Sequence, residues 1–206
     1  MRHGESDGNA NGLCQGNSPG CLTTKGLSQA SSLCLFTKGE YDAIYSSDLT
    51  RVVQTAQASI SDAKLLNSVI YDSLLREKHA GIFEMKKREL MVTARTTSGL
   101  NERLYQPQDG ESWQQLQDRV KLFYDKINES YKGRSVRILV YTSGGIHSLI
   151  LLYSLTYSLT HRLTYSRLDK RIHQLFCIPK SAVVSKHSPK CAYLRVSSEV
   201  GRRRGV

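Results

Sequence analysis

One stretch of the sequence has the pattern of a phosphate-binding turn. Residues 138–155, ILVYTSGGIHSLILLYSL, indicate a short apolar strand, a Gly-Gly turn and an apolar helix. At such a helix start, free backbone N–H groups and the positive end of the helix dipole face a bound anion. The tip carries only Thr142 and Ser143, so it has no charged side chain of its own. The pattern favours phosphate binding, but the chemistry must come from other parts of the chain.

Four further stretches hold residue types that phosphoryl transfer uses. They are MRHGES with Arg2 and His3, SSDLTRVVQTA with Arg51, LLREKHAGIFE with Glu77, and GES at residues 110–112. Phosphoryl transfer requires a nucleophile, positive donors around three equatorial oxygens and an acid for the leaving alkoxide. Taken singly each stretch is weak, because an RHG tripeptide is common and Glu77 is also interpretable as an ordinary surface acid.

In their order and spacing, these stretches resemble the histidine phosphatase superfamily, which has the phosphoglycerate-mutase-like fold. The resemblance covers Arg2 to about Ser197, which gives a domain of residues 1–197 and a basic tail of residues 198–206. Residues 88–110, ending in YQPQDG, indicate a polar, irregular insertion of the lid type. The long segment from Glu77 to Gly110, closing on YQPQDGES, is most similar to the TIGAR branch, the fructose-2,6-bisphosphatase relatives.

The resemblance implies a role for each matched residue. His3 would be the nucleophile that forms a phosphohistidine, and Glu77 would be the general acid. The guanidinium forks of two arginines suit the phosphoryl oxygens. The residues that would hold the substrate phosphate are Arg2, Asn9, Gln15, Gly16, Arg51, Ser143 and Gly144. The family's chemistry requires no metal, and no cofactor is expected.

The first departure from the family pattern is at residue 143. The family has Ser-His-Gly-Gly after the apolar strand, whereas this chain has Thr-Ser-Gly-Gly at residues 142–145. Ser143 therefore replaces the second catalytic histidine, and losing one preorganised donor costs on the order of a hundred- to a thousand-fold in rate. His147 lies one helical turn further along the same face, where it either reaches back to the phosphate or is a core or surface histidine.

The second departure is at the start of the chain. In the family the RHG motif ends a central strand of several apolar residues, whereas here only Met1 precedes it. The first central strand is therefore expected to be missing, which would deprive the sheet of its middle and His3 of its platform. A truncated sequence and a decayed paralogue both explain this, and each affects activity more than fold.

The elements that must position these residues alternate along the chain. Residues 1–26 are expected to be loop. The predicted strands are 41–46, 136–141, 180–186 and 191–198, and the predicted helices are 27–35, a helix capped by Ser47, one from Trp113 to near Gly133, and one after Gly144. This alternation favours an α/β layered domain with helices on both faces of the sheet.

Composition limits the class of protein. A chain of 206 residues with 39% hydrophobic and 23% charged residues fits one globular domain. No secretory leader is visible, and the most apolar run, residues 146–159, is too short to cross a bilayer. Five cysteines, odd in number and never in a CxxC pair, favour reduced thiols over a disulfide framework or a zinc site. We therefore expect a cytoplasmic protein without a membrane partner.

The net charge of +11 is concentrated near the end of the chain, since residues 151–206 hold eleven Lys and Arg against two acids. A solvated basic face explains this best, a phosphorylated small-molecule substrate second, and nucleic acid least, because no nucleic-acid-binding motif accompanies the charge. Three functions remain open: a phosphomonoesterase, for example on fructose 2,6-bisphosphate, impaired by Ser143; an inactive relative that binds phosphorylated ligands or proteins; and a phosphoglycerate mutase. The sequence does not indicate the oligomeric state.

Overall fold

A four-stranded mixed sheet forms the centre of the molecule. The computed structural model describes residues 1–34, 40–163 and 194–196, with side chains up to residue 154. In spatial order the strands are β3 (Ile70–Tyr71), β2 (Ala43–Ser46), β5 (Val136–Tyr141) and β6 (Leu194–Val196). Strand β2 is parallel to β3 and β5, whereas β6 is antiparallel to β5. The predicted strand 136–141 is confirmed at both ends.

Alternate residues of β5 are buried in two separate cores. Val136, Ile138 and Val140 face α6 (Trp113–Ser130) and α7 (Gly144–Leu163). Leu139 and Tyr141 point to the opposite face, as the two-residue period of a strand requires. That face is covered by α3 (Thr50–Ser59), against which α2 (Thr24–Ser32) packs. The expected α/β architecture with helices on both faces is confirmed.

Helix α6 follows the sequence pattern closely. Ser112 and Gln115 form a capping box, in which Gln115 N donates to Ser112 Oγ (3.1 Å) and Ser112 N donates to Gln115 Oε1 (2.7 Å). Of the apolar residues at steps of three and four, Trp113 is half-buried and the other four are buried, as an amphipathic helix requires: Leu116, Val120, Phe123 and Ile127. The helix therefore presents one continuous apolar stripe to the sheet.

Helix α3 begins later than its sequence predicts. Leu49 is the N-cap residue and offers no side-chain acceptor, so the predicted cap at Ser47 is wrong. Ser47 Oγ instead accepts from Leu49 N at 3.4 Å in the turn before the helix. Asp48 consequently lies outside the first helical turn and pairs with Arg76.

Residues 1–26 are not a continuous loop as predicted. They contain α1 (Asp7–Ala10) and β1 (Leu13–Cys14), and α2 begins within them. The early start of α2 follows from its cap, because Thr23 Oγ1 accepts from Gly26 N at 3.0 Å. The short helix α4 (Ala63–Asn67) completes the helices of this half of the chain.

The insertion at residues 88–110 begins with a helix, not with irregular chain. Strand β4 (Lys86–Lys87) pairs antiparallel with β1, and α5 (Arg88–Thr97) follows directly. Its Met91 Sδ lies 3.7 Å from Cys14 Sγ, which fixes α5 beside β1. Leu, Met, Ala and Arg are strong helix formers, and they outweigh the polar character of the segment. The role of the insertion as a lid stays a prediction.

The first three residues lie along the end of β5. Thr142 N donates to Met1 O (2.8 Å), His3 N donates to Thr142 O (3.0 Å), and Arg2 forms a parallel bridge with Thr142. Strand β6 pairs with the preceding part of the same edge. The first strand is thus reduced to one bridge. The expectation that His3 would have no platform is wrong, because these hydrogen bonds fix its backbone on the sheet.

Part of the sequence-based prediction lies outside the described residues, namely the strand at 180–186 and the tail at 198–206. Of the predicted strand at 191–198, residues Leu194–Val196 form β6. Within the ranges that the structure describes, no helix has the length and apolarity needed to cross a membrane.

The core on the α6 face should be sensitive to truncation of its largest ring. Phe123 is 1% exposed and meets Tyr45 of β2 edge to face, with ring centroids 5.5 Å apart. We expect Phe123→Ala to lower the free energy of unfolding by about 3–5 kcal/mol, because a large cavity opens in the core. Leu122→Ala is the control, since Leu122 is 61% exposed on the same helix. Equal losses in the two variants, measured by denaturant unfolding, would contradict this packing.

Candidate active site

The residues that follow the parallel strands lie close together at the carboxyl ends of those strands. Arg51 follows β2, Glu77 follows β3 and Ser143 follows β5, while His3 lies beside the end of β5. In open α/β sheets, ligands bind in the crevice just outside the carboxyl ends of the strands. Four regions that are distant in sequence therefore meet at one place.

The His3 imidazole has the form of a nitrogen nucleophile. Its Nδ1 lies 2.7 Å from the carbonyl oxygen of Gly4. Since a carbonyl only accepts, Nδ1 carries the proton and Nε2 keeps its lone pair. The pKa of His3 is lowered to about 4, mainly because the ring is buried; the hydrogen bond to Gly4 opposes this shift, and the charges of Arg51 and Arg2 add to it. The ring is therefore neutral near neutral pH, as a nucleophile must be.

The turn after His3 fixes the direction of the imidazole. Gly4 N donates to Thr55 Oγ1 at 3.1 Å, and Thr55 Oγ1 donates to the carbonyl oxygen of Arg51 at 2.7 Å. A Cβ at Gly4 would lie 2.4 Å from the carbonyl oxygen of Gly26, so only glycine fits here. The turn after His3 and the main chain of Arg51 are thereby held by the same side chain of α3, that of Thr55.

Arg51 is a buried cation beside His3. The residue is 1% exposed, and its Nη2 and Nη1 donate to the carbonyl oxygens of Gly16 (2.7 Å) and Ser18 (3.2 Å). Within the described residues its Nε has no hydrogen-bond partner. Burial lowers the pKa of Arg51, and nearby carboxylates, of which Glu77 has the largest effect, oppose this shift. A buried guanidinium with an unused donor is suited to an anion.

The loop that holds Arg51 is itself held by Glu84. Its carboxylate accepts from Asn17 N at 2.7 Å, from Ser18 Oγ and from Ala80 N at 3.2 Å. Gly16 has φ +52, and a Cβ there would lie 2.3 Å from Glu84 Oε1. Sequence reasoning assigned no role to Glu84, although it ends the GIFE segment that follows Glu77.

Asn9 and Gln15 shape the same loop. Asn9 Oδ1 accepts from Ser6 N at 3.4 Å in the capping box of α1. The Gln15 side chain accepts from Ser6 Oγ and donates from Nε2 to Asp7 Oδ1 at 2.8 Å, and Gln15 is 6% exposed. Both amides therefore make hydrogen bonds within the loop, and direct contact of either residue with phosphate stays a prediction.

Arg2 and Glu77 flank the first two residues of α7. A Cβ at Gly144 would lie 3.3 Å from Arg2 Nε, and a Cβ at Gly145 would lie 3.0 Å from Glu77 Oε1. The Trp113 ring also borders Gly145, at 3.1 Å from that position, a neighbour that sequence reasoning missed. The first N–H groups of a helix have no intrahelical acceptor, so those of α7 are available to a ligand bound between Arg2 and Glu77.

Ser143 is enclosed at the start of α7. The residue is 0% exposed, and its Oγ has no hydrogen-bond partner among the described residues. His147, one turn further, lines a small cavity between β5 and α7 together with Met1, Val140 and Thr142. The cavity lies along the β5 edge, so this position fits a core histidine.

Comparisons with known proteins agree with this geometry. The family model described as histidine phosphatase superfamily (branch 1) matches residues 1–171. The adenosylcobalamin/alpha-ribazole phosphatase of Escherichia coli (strain K12) is 31% identical over 73% of this chain and 75% of its own length. The metal-independent phosphoserine phosphatase of Arabidopsis thaliana is 34% identical over 74% of this chain and 66% of its own length.

Other matches extend the same picture. The fructose-2,6-bisphosphatase TIGAR of Bos taurus is 31% identical over 61% of this chain and 48% of its own length. Among solved structures, the alpha-ribazole phosphatase from Shigella flexneri superposes with a TM-score of 0.65 at 27% identity, over 75% of this chain and 77% of that chain. Relatives with different substrates are thus similarly close, and the TIGAR branch is not singled out.

The lowered pKa of His3 should appear as a pH dependence of stability. Between pH 6.5 and about 4, the unfolded chain binds a proton at His3 that the folded chain does not. The free energy of unfolding should therefore decrease as the pH falls through this range, and by more in the native sequence than in His3→Asn, whose amide still reaches Gly4. Denaturant unfolding at stepped pH measures this. Parallel curves for the two proteins would show that the pKa of His3 is not lowered.

Proposed function

This chain belongs to branch 1 of the histidine phosphatase superfamily, and from that premise we propose that it hydrolyses phosphomonoesters through a phosphohistidine at His3. The observation that carries the proposal is the neutral imidazole, with its lone pair on Nε2, beside the guanidinium groups of Arg2 and Arg51. A nucleophile without charge, next to fixed positive donors, matches what an incoming phosphoryl dianion requires.

In the first step, Nε2 of His3 attacks phosphorus and the bond to the ester oxygen breaks. Glu77 gives its proton to the leaving alkoxide, so no free alkoxide forms. Arg2, Arg51 and the first N–H groups of α7 hold the three phosphoryl oxygens. In the second step, Glu77 takes a proton from water, the water oxygen bonds to phosphorus, and the N–P bond breaks to restore His3.

As substrate we propose a sugar bisphosphate such as fructose 2,6-bisphosphate. Such a ligand needs a second anion subsite, and β4 and the insertion together carry five basic residues: Lys86, Lys87, Arg88, Arg95 and Arg103. Three of these have partners, since Lys87 donates to Asn11 O, Arg95 pairs with Glu102, and Arg103 donates to Gln114. We therefore expect the second phosphate to bind mainly to Lys86 and Arg88, where β4 is followed by α5. We propose the cytoplasm as the site of action, because the three described cysteines, Cys14, Cys21 and Cys34, form no disulfide with one another.

The second candidate function is binding of phosphorylated ligands without turnover. Ser143 favours it, because a neutral hydroxyl stands where the family has a second catalytic histidine. A cation contributes most where charge develops in the transition state, so its loss impairs catalysis more than binding.

Turnover on a panel of phosphoesters separates the two candidates. We expect release of inorganic phosphate from at least one sugar phosphate, and from fructose 2,6-bisphosphate faster than from fructose 6-phosphate. His3→Ala should abolish this release, because no other group supplies the nucleophile. Trapping of phosphate on the native protein but not on His3→Ala, after acid-free quenching, identifies the intermediate. Phosphate binding without release by either protein would favour the non-catalytic candidate.

Restoring the missing imidazole tests the effect of Ser143. We expect Ser143→His to raise turnover by at least about tenfold, which is roughly 1.4 kcal/mol of barrier. The substrate KM should change less, since the added donor acts mainly on developing charge. Ser143→Ala is the matched control and should not exceed the native rate. An unchanged rate in Ser143→His, beside a fast native enzyme, would mean that another group already fills this role.

A further inference from the structure

Arg119 of α6 spreads its guanidinium across the main chain that carries Glu77. Its Nη1 donates to the carbonyl oxygens of Leu74 (2.7 Å) and Arg76 (2.9 Å), and its Nη2 reaches that of Glu77 at 3.4 Å. Nε and Nη2 also donate to the two carboxylate oxygens of Glu111, at 2.9 and 2.8 Å. One side chain therefore holds three carbonyl groups within four consecutive residues.

Glu111 ties the same segment from its other side. Its Oε2 accepts from His79 N at 3.3 Å, and its own N donates to the carbonyl oxygen of His79 at 2.9 Å. The carbonyl oxygen of Glu111 accepts from Lys78 Nζ at 2.7 Å. The two residues after Glu77 are thus fixed to the end of the insertion, while the residues before it are fixed to α6.

Burial makes this ion pair stronger than a surface pair. The side chains of Arg119 and Glu111 are 20% and 15% exposed, so water screens their charges only in part. The planar guanidinium presents its donors in a fixed fork, which a lysine ammonium does not reproduce. The two hydrogen bonds to Glu111 therefore orient the guanidinium of Arg119, and this guanidinium in turn fixes the carbonyl groups in residues 74–77.

The Glu77 side chain depends on this main-chain position. Its Oε1 accepts from Lys78 N at 2.9 Å and lies at Gly145, in the first turn of α7. A shift of the segment by one ångström would move the carboxyl away from a leaving group bound at that turn. Displacements of this size cost about a hundredfold in rate at other active sites.

We propose that Arg119, oriented by Glu111, is a positioning residue for the general acid Glu77. The inference rests on the proposed function, in which Glu77 protonates the leaving group. The hydrogen bonds of Arg119 go to Glu111 and to the main chain of residues 74–77, so in this proposal it acts on Glu77 through that main chain. The alternative is that Arg119 merely satisfies buried carbonyl groups and contributes to stability alone.

Leaving-group dependence distinguishes these two roles. An alkyl phosphate needs a proton for its leaving alkoxide, whereas p-nitrophenyl phosphate expels a phenolate that needs none. The variants are Arg119→Lys, which keeps the charge without the fork, and Glu111→Gln, which keeps the shape and weakens the orientation. Lys121→Gln is the control, because Lys121 is exposed on the same helix and pairs with Asp125 one turn further along. Thermal unfolding of each protein is measured beside kcat and KM.

We expect Arg119→Lys to lower kcat on the alkyl phosphate by about tenfold or more, which is part of the total rate contribution of a general acid. On p-nitrophenyl phosphate, the same variant should lower kcat by less than about threefold. KM should stay unchanged, and Glu111→Gln should show the same pattern at smaller size. Equal losses on both substrates, or no loss, in either folded variant would overturn the positioning role. If Arg119→Lys is unfolded at the assay temperature, the Glu111→Gln ratio decides by the same criterion. An inactive native protein would instead contradict the proposed function itself.

Discussion

Burial of the Arg51 guanidinium is the constraint on which the rest of the site depends. A charge taken out of water is costly unless other groups replace its hydration. Here the carbonyl oxygens of Gly16 and Ser18 do so, and the carboxylates of Glu77 and Glu84 lie near enough to act on its charge. This requirement fixes the loop at residues 16–18 and makes its glycine obligatory. The same loop is anchored to Glu84, so one buried cation organises three chain segments.

The positive charge of Arg51 also adds to the effect of burial on His3. Arg51 and Arg2 act on His3 together with burial, so the imidazole stays neutral and its lone pair is available. With Ser143 in place of a histidine, residue 143 contributes no cation to the start of α7. The positive field there comes from Arg2, whose Nε borders Gly144, and from the N-terminal dipole of the helix.

The parts of the fold that were predictable are those encoded by local pattern. The spacing of Leu116 to Ile127 gave α6, and the apolar run at residues 136–141 gave β5. The start of α3 was not predictable, because Leu49 caps it without a side-chain acceptor and Ser47 offered a false signal. The order of the motifs predicted that His3, Arg51 and Glu77 would lie together, whereas no local pattern encodes the catalytic roles that we propose for them.

Long-range contacts account for what the sequence did not reveal. The contribution of Arg119 depends on three carbonyl groups more than 40 residues away, and no local pattern encodes such contacts. Its position beside Val120, at the border of the apolar stripe of α6, was the available signal. The pairing of Met1–His3 with β5 was likewise hidden, because a single bridge leaves no strand pattern. The helix in residues 88–110 was missed for a local reason, since charged residues masked its propensity.

The contact of Met1 with β5 has a consequence for the order of folding. The two partners, Met1 and Val140, are 139 residues apart, so their pairing closes a loop of most of the described chain. The entropic cost of closing a loop rises only slowly with its length, by about 0.6 kcal/mol per doubling. The length of this loop therefore adds little to the free-energy cost of the contact at equilibrium. Non-local parallel pairings nevertheless form slowly, because the entropy is lost before the contacts compensate for it. By the same argument, the Met1–Val140 contact and the parallel β2–β5 pairing are both expected among the slow steps of folding, after the local helices, so His3 is expected to reach its position late.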